Sequence, residues 1–307
     1  MTQPIVSVET LAGWIEAGRT DLRICDLRWY LGQPHGAGRA AYDAGHIPGA
    51  IHLDVDGELV AAEGPGRHPL PDPGAFQATL ARAGIGDGDT VVAYDDVGGW
   101  VAARLWWMLE DLGFDDEGRS GEGRRGEALV LDGGWQAWLA AGGAVSTDVP
   151  RPSPRGLHLA SAWRRVIDRA DLKPRLGSVT LLDARAAERY RGEVEPIDPV
   201  AGHIPTARSA PTAGNLGRDG RFLPPHVLRE RYEGLGCSLP GVTVTSCGSG
   251  VSACHNALAM RIAGLPDPLL YPGSYSDWST AGEPVAVGAE PGAPQSQDAQ
   301  TPRRSSS

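Results

Sequence analysis

The stretch Val242-Thr243-Val244-Thr245-Ser246-Cys247-Gly248-Ser249-Gly250-Val251-Ser252-Ala253 decides how the chain is read. A β-branched run, Val242 to Val244, leads toward a cysteine. Two glycines follow within three residues, and a helix-compatible run from Val251 to Ile262 comes directly after. The pattern is strand, tight loop, helix, with the thiol at the strand's carboxyl end. A cysteine there faces backbone N–H groups and the positive end of a helix dipole. Both favour thiolate over thiol, and the thiolate is the nucleophile. Gly248 and Gly250 free the backbone to wrap around a small anion. On the loop alone, the competing reading is a buried structural cysteine beside a turn.

Moving outward, the chain repeats itself. Ala44-Gly45-His46-Ile47-Pro48-Gly49-Ala50 recurs as Ala201-Gly202-His203-Ile204-Pro205-Thr206-Ala207, and Ile24-Cys25-Asp26-Leu27-Arg28 recurs as Leu181-Leu182-Asp183-Ala184-Arg185. Both lie 157 positions apart (46 to 203, 26 to 183). Gly133-Gly134-Trp135-Gln136-Ala137-Trp138 matches Gly273-Ser274-Tyr275-Ser276-Asp277-Trp278 at an offset of 140 (138 to 278), because the first half carries an extra polar loop, Asp115 to Glu127. Three matches in one order mean duplicated domains rather than a solenoid. His46 and His203 recur in both halves, so they serve the fold.

Each half alternates short apolar runs with amphipathic ones. Strands are expected at 23–27, 90–94 and 128–131, then at 179–183 and 242–246. Helices are expected at 8–17, with Ser7 as N-cap, and at 101–112, 223–235 and 251–263. The implied fold class is α/β: two tandem domains, each a mainly parallel sheet flanked by helices. Sites in such sheets form at strand carboxyl ends, where Cys247 falls. The expected division is residues 1–145 for a non-catalytic domain, 146–156 for a Pro-rich linker, 157–286 for the catalytic domain and 287–307 for a disordered Gly/Pro/Gln/Ser tail.

Composition narrows the classes. Net charge is −10, which disfavours a nucleic-acid groove. No apolar run approaches the roughly 20 residues of a membrane span, and the first residues lack a secretory pattern. Cys25, Cys237, Cys247 and Cys254 show no CxxC spacing, which argues against a metal site or disulfide framework and fits a reducing cytoplasm. Cys25, Cys237 and Cys254 read as core residues, as do Trp106, Trp107, Trp135 and Trp138.

With the duplication, the paired Gly-His-Ile-Pro motifs and the Cys247 loop together, the chain resembles the two-domain rhodanese family of sulfurtransferases over roughly residues 5–285. In that family only the C-terminal domain carries the cysteine. Here the matching strand of the first half runs into Asp95-Asp96-Val97-Gly98-Gly99-Trp100, with Asp96 roughly in the place of Cys247. The loop is similar to that of 3-mercaptopyruvate sulfurtransferases; thiosulfate enzymes place basic residues directly after the cysteine. The resemblance implies a Ser–His–Asp relay of Ser249, His68 and Asp56, the last chosen over Asp54. It implies that Arg185, and more weakly Arg191, hold the donor's carboxylate. Backbone N–H groups of Gly248, Gly250, Val251 and Ser252 would surround the sulfur.

The implied reaction forms a Cys247 persulfide with release of pyruvate. Sulfur then passes to thioredoxin, a small thiol or cyanide, without metal or organic cofactor. Thiosulfate as donor is the near rival. A cysteine phosphatase of the same fold needs an arginine at the position of Ala253. A non-enzymatic sulfur-relay or binding module is the rival of another class.

Overall fold

The computed structural model describes residues 3–116, 126–238 and 241–294. The expected alternation is present as two parallel sheets. The first comprises β1 (Ile5–Val6), β2 (Leu22–Asp26), β3 (Ile51–His52), β4 (Thr90–Tyr94) and β5 (Glu127–Leu131) in the order β1-β5-β4-β2-β3. The second comprises β6 (Thr180–Asp183), β7 (Arg208–Ser209), β8 (Thr243–Ser246) and β9 (Leu269–Leu270) in the order β7-β6-β8-β9. Cys25 pairs with Ala93 in one sheet and Leu182 with Thr245 in the other, so the repeated strands hold equivalent central positions. Ser7 caps the Val8–Glu16 helix, accepting from the Thr10 N–H at 3.2 Å. The strands β1, β3, β7 and β9 were not expected, since two residues show no alternation.

Two helices join the halves. Ala102–Asp111 is buried along its whole length, and Ala253–Ile262 is buried at every position but Arg261. One apolar cluster runs through both, from Leu105, Trp107 and Met108 to Leu258 and Met260. A helix without a solvent face needs packing on every side. Each half therefore supplies a surface that the other completes.

The repeated histidines serve the fold as expected. His46 stacks on Tyr42 at 3.8 Å, and its ring nitrogens meet the carbonyls of Tyr42 and Asp148 at 2.8 and 3.0 Å. His203 stacks on Tyr190 at 3.8 Å and meets the carbonyls of Tyr190 and Glu290 at 2.8 and 3.1 Å. Each ring thus fastens the segment that leaves its domain.

That geometry corrects the reading of the tail. Residues 287–294 are held in place: the Gly288 N–H donates to the Arg191 carbonyl at 3.0 Å, and the Thr206 N–H donates to Pro291. Composition did not reveal this because the anchors are backbone groups. Residues 295–307, the remainder of the expected tail, lie outside the described residues, as do 117–125 of the extra loop. A chain ending at residue 286 should therefore melt several degrees below one ending at Pro294, because the hydrogen bonds to Arg191, Thr206 and His203 are lost, each contributing about 0.5–1.5 kcal/mol. Equal thermal unfolding midpoints by circular dichroism would refute the anchoring role.

Candidate active site

Cys247 directly follows β8 and is 2% exposed. Its sulfur receives the N–H of Gly250 at 3.0 Å and of Ser249 at 3.4 Å. Gly250 has φ +80°, and a Cβ there would lie 2.4 Å from the Pro272 carbonyl oxygen, so only glycine lets the loop close this tightly. From the far side the Cys247 N–H donates to Ser274 Oγ at 3.0 Å, and that hydroxyl donates to the Tyr271 carbonyl at 2.8 Å. Ser274 holds φ +52°, where the first half has Gly134 at φ +54°. A serine kept in a left-handed conformation is a local strain that its two hydrogen bonds offset.

Of the expected relay, the structure brings Ser249 and His68 together. Ser249 Oγ lies 2.6 Å from His68 Nδ1 across the domain boundary. The third member is looser: His68 Nε2 is 3.8 Å from Asp56 Oδ1, and Asp56 also faces His35 Nδ1 at 3.0 Å. Asp54 caps the Val55–Glu58 helix, its side chain accepting from the Asp56 N–H. Burial, then the Arg104 charge, push the His68 pKa down to about 4, against the upward pull of Asp56. The ring is therefore neutral at pH 7, and Nδ1 is able to accept the Ser249 proton.

The arginines depart from expectation. Arg185 sends Nε to both Asp183 oxygens at 3.0 Å, Nη2 to Asp183 at 2.6 Å and to the Gly202 carbonyl at 2.7 Å, and Nη1 to Glu195 at 3.3 Å. Arg28 repeats the arrangement on Asp26 and the Gly45 carbonyl. Each guanidinium also lies over a ring, Tyr275 or Trp135. Arg185 is a frame residue common to both halves, and its fork is already occupied. Arg191 pairs with Glu193 at the surface at 2.7 Å. Arg185 borders the loop, its Cδ lying 3.9 Å from where a Gly248 Cβ would stand, but the forks of Arg185 and Arg191 are both committed to carboxylates of the fold.

The cations beside the loop are Arg67 and Arg189. A Cβ on Gly248 would lie 2.9 Å from Arg67 Nη2 and 3.7 Å from Arg189 Nη1. Arg67 pairs with Asp198, and Arg189 pairs with Glu195 at 2.6 Å and Asp198 at 3.1 Å. The adjacency of Arg67 to His68 was a usable sequence signal; Arg189 had only its spacing of four from Arg185. Ser274 was visible in the Gly134–Ser274 repeat match. The other three cysteines are buried, and burial raises the thiol pKa of each, that of Cys254 to about 12. They stay protonated at neutral pH.

In the first half, Asp95 rather than Asp96 corresponds to Cys247. It directly follows β4, and its carbonyl accepts from the Trp135 N–H as that of Cys247 accepts from Tyr275. Its carboxylate takes four N–H groups, from Val97, Gly99, Val101 and Ala102, at 2.7–3.0 Å. Asp96 instead accepts from the Tyr30 hydroxyl at 2.7 Å.

Comparison with known proteins follows the same lines. The family model described as rhodanese-like domain matches residues 7–141 and again 168–281. A probable 3-mercaptopyruvate sulfurtransferase of Pseudomonas aeruginosa is 44% identical over 87% of this chain and 93% of its own length. A putative thiosulfate sulfurtransferase, SseB, of Mycobacterium tuberculosis is 39% identical over 91% and 94%. Among solved structures, the 3-mercaptopyruvate sulfurtransferase of Leishmania major superposes with a TM-score of 0.76 at 30% identity, covering 91% of this chain and 75% of that one. The chain belongs to the rhodanese family, with two rhodanese-like domains in tandem.

The depressed His68 pKa has a signed consequence. The unfolded chain binds this proton near pH 6.5 and the folded chain only near pH 4. This contribution to stability is therefore present above about pH 6.5 and is lost as pH falls toward 4. The His68 imidazole resonance should be flat between about pH 5.5 and 8 in an NMR titration; a midpoint between 6 and 7 would contradict the assignment.

Proposed function

We propose that this chain transfers sulfane sulfur from 3-mercaptopyruvate, through a persulfide on Cys247, to a thiol or cyanide acceptor. The observation that carries the reading is the 2.6 Å contact of Ser249 Oγ with a neutral His68, beside the amide-cradled sulfur. Names borne by its relatives support the donor class.

In the first half-reaction the Cys247 thiolate attacks the donor's thiol sulfur. An S–S bond forms, the C–S bond breaks, and its electron pair leaves as the enolate of pyruvate. The outer sulfur's proton moves to that carbon, with Ser249 and His68 as the path and Asp56 biasing the ring. The Gly248–Ser252 backbone, including Gly250 and Val251, holds the persulfide anion. Arg67 and Arg189 are the groups placed to meet the donor's carboxylate, by bidentate pairing. In the second half-reaction, thioredoxin or a small thiol attacks the outer sulfur and restores Cys247. This is ping-pong catalysis by a covalent intermediate. We assign the reaction to a reducing cytoplasm, in keeping with four free cysteines. Among the described residues, no helix is long and apolar enough to cross a membrane.

One observation favours thiosulfate as a second donor. Positive charge that the loop itself lacks is supplied by Arg67 and Arg189 beside Gly248. Paired as they are with Asp198 and Glu195, these arginines suit one carboxylate better than a dianion.

Donor without acceptor should add one sulfur atom, about 32 Da, to the protein, and Cys247→Ser should neither gain it nor turn over. With cyanide as acceptor, 3-mercaptopyruvate should exceed thiosulfate by at least about tenfold in kcat/KM. Equal or reversed rates would move the chain to the thiosulfate class. Ser249→Ala and His68→Ala should each slow mercaptopyruvate turnover, and the double variant should be little worse than the poorer single one. Additive losses would rule out a relay.

A further inference from the structure

Arg104 sits in the middle of the Ala102–Asp111 helix, 0% exposed. Its hydrogen bonds go to neutral carbonyls: Nη1 to Gly250 at 3.1 Å, Nη2 to His68 at 3.0 Å and to Leu59 at 3.3 Å. Its buried Nε has no hydrogen-bond partner, and among the described residues no carboxylate pairs with it. Burial pushes its pKa down, and the groups that pull it back are the sulfurs of Cys254 and Cys247. An unpaired guanidinium in the interior is costly, so an arrangement that keeps one implies an anion that the resting fold leaves out.

The other charges around the cysteine do not fill that role. Arg67, from the His68 segment, is paired with Asp198. Arg189 and Arg185, which follow β6, are paired with Glu195, Asp198 and Asp183. Cys254, on the helix after the loop, directs its S–H to the Gly250 carbonyl at 3.4 Å, the same oxygen that Arg104 holds. His68 is neutral, with Asp56 beyond it. Arg104 is thus the one cation among these that lacks a carboxylate. It reaches the Gly248–Ser252 loop and the His68 segment from beneath, gripping one carbonyl of each.

We propose that Arg104 is a positioning residue of the first domain and the buried counter-charge of the sulfur anion on Cys247. It acts through the Gly250 carbonyl, which fixes the loop whose amides meet the sulfur, and through the His68 carbonyl, which fixes the ring against Ser249. This rests on the reading of Cys247 as the sulfur carrier.

The test is the second-order rate of Cys247 alkylation by iodoacetamide in the full chain at pH 7.5, with the modified residue located by peptide mass mapping. Arg104→Gln, with Arg104→Met as a second neutral variant should the first fail to fold, should react at least about tenfold more slowly than the parent. Their melting temperatures should be equal to or above that of the parent, because an unpaired buried charge has been removed. Arg104→Lys should regain the alkylation rate to within about threefold, yet keep a low kcat with 3-mercaptopyruvate, since an ammonium cannot span both carbonyls. Neutral variants alkylated at the parental rate would overturn the proposal. So would a Lys variant as slow as Gln, or a fall in melting temperature that tracks the loss of reactivity, which assigns Arg104 to packing. A parent in which Cys247 neither alkylates nor takes up sulfur would defeat the sulfur-carrier reading instead.

Discussion

The structure depends on two helices that have no solvent face. Ala102–Asp111 and Ala253–Ile262 each lie between sheet, partner helix and loop, and their polar groups must find partners within the protein. Arg261 reaches Glu110 at 2.8 Å, and Asp111 accepts the N–H groups of Arg164 and Arg165 at 2.8 and 2.9 Å. His255 meets the Gly98 carbonyl at 3.1 Å, while its other ring nitrogen faces Asn215. These links fix the first domain against the second, so that His68 meets Ser249 at hydrogen-bonding distance. The His68–Ser249 contact is a by-product of the packing that buries the helix pair.

Duplication explains which residues are frame and which are site. The Asp–Arg–carbonyl knot, the Tyr–His stack and the fastening of the departing segment occur in both halves with nearly the same distances. Around the cysteine, what differs is the loops at the ends of β4 and β8 and the arginines beside Gly248. A substitution in the repeated set should act on stability first; one in the unrepeated set should act on chemistry.

Much of this was legible in the sequence. Cys247 was placed by its strand, glycines and helix, and the two domains by their repeated punctuation. The Arg185 motif recurs at Arg28, and the recurrence is itself informative: both side chains bind the equivalent aspartate and glycine carbonyl of their own half. Arg189 and Arg67 were missed because their position beside Gly248 is set by the segments that follow β6 and precede His68, whose courses no local pattern dictates. The pairing of residues 287–294 was hidden because backbone atoms do the binding, and Arg104 because an isolated cation in an apolar helix has no sequence mark of its burial. Two-residue strands carry too few side chains to show a period.

Asp95 gives the duplication a further meaning. A ring of inward-facing amides is hungry for an electron-rich guest. In the first half that hunger is sated from within: one carboxylate takes four N–H groups. In the second half the occupant is a sulfur that receives two. The chain thus contains its own control: two copies of one loop, one closed on a carboxylate and the other on a sulfur.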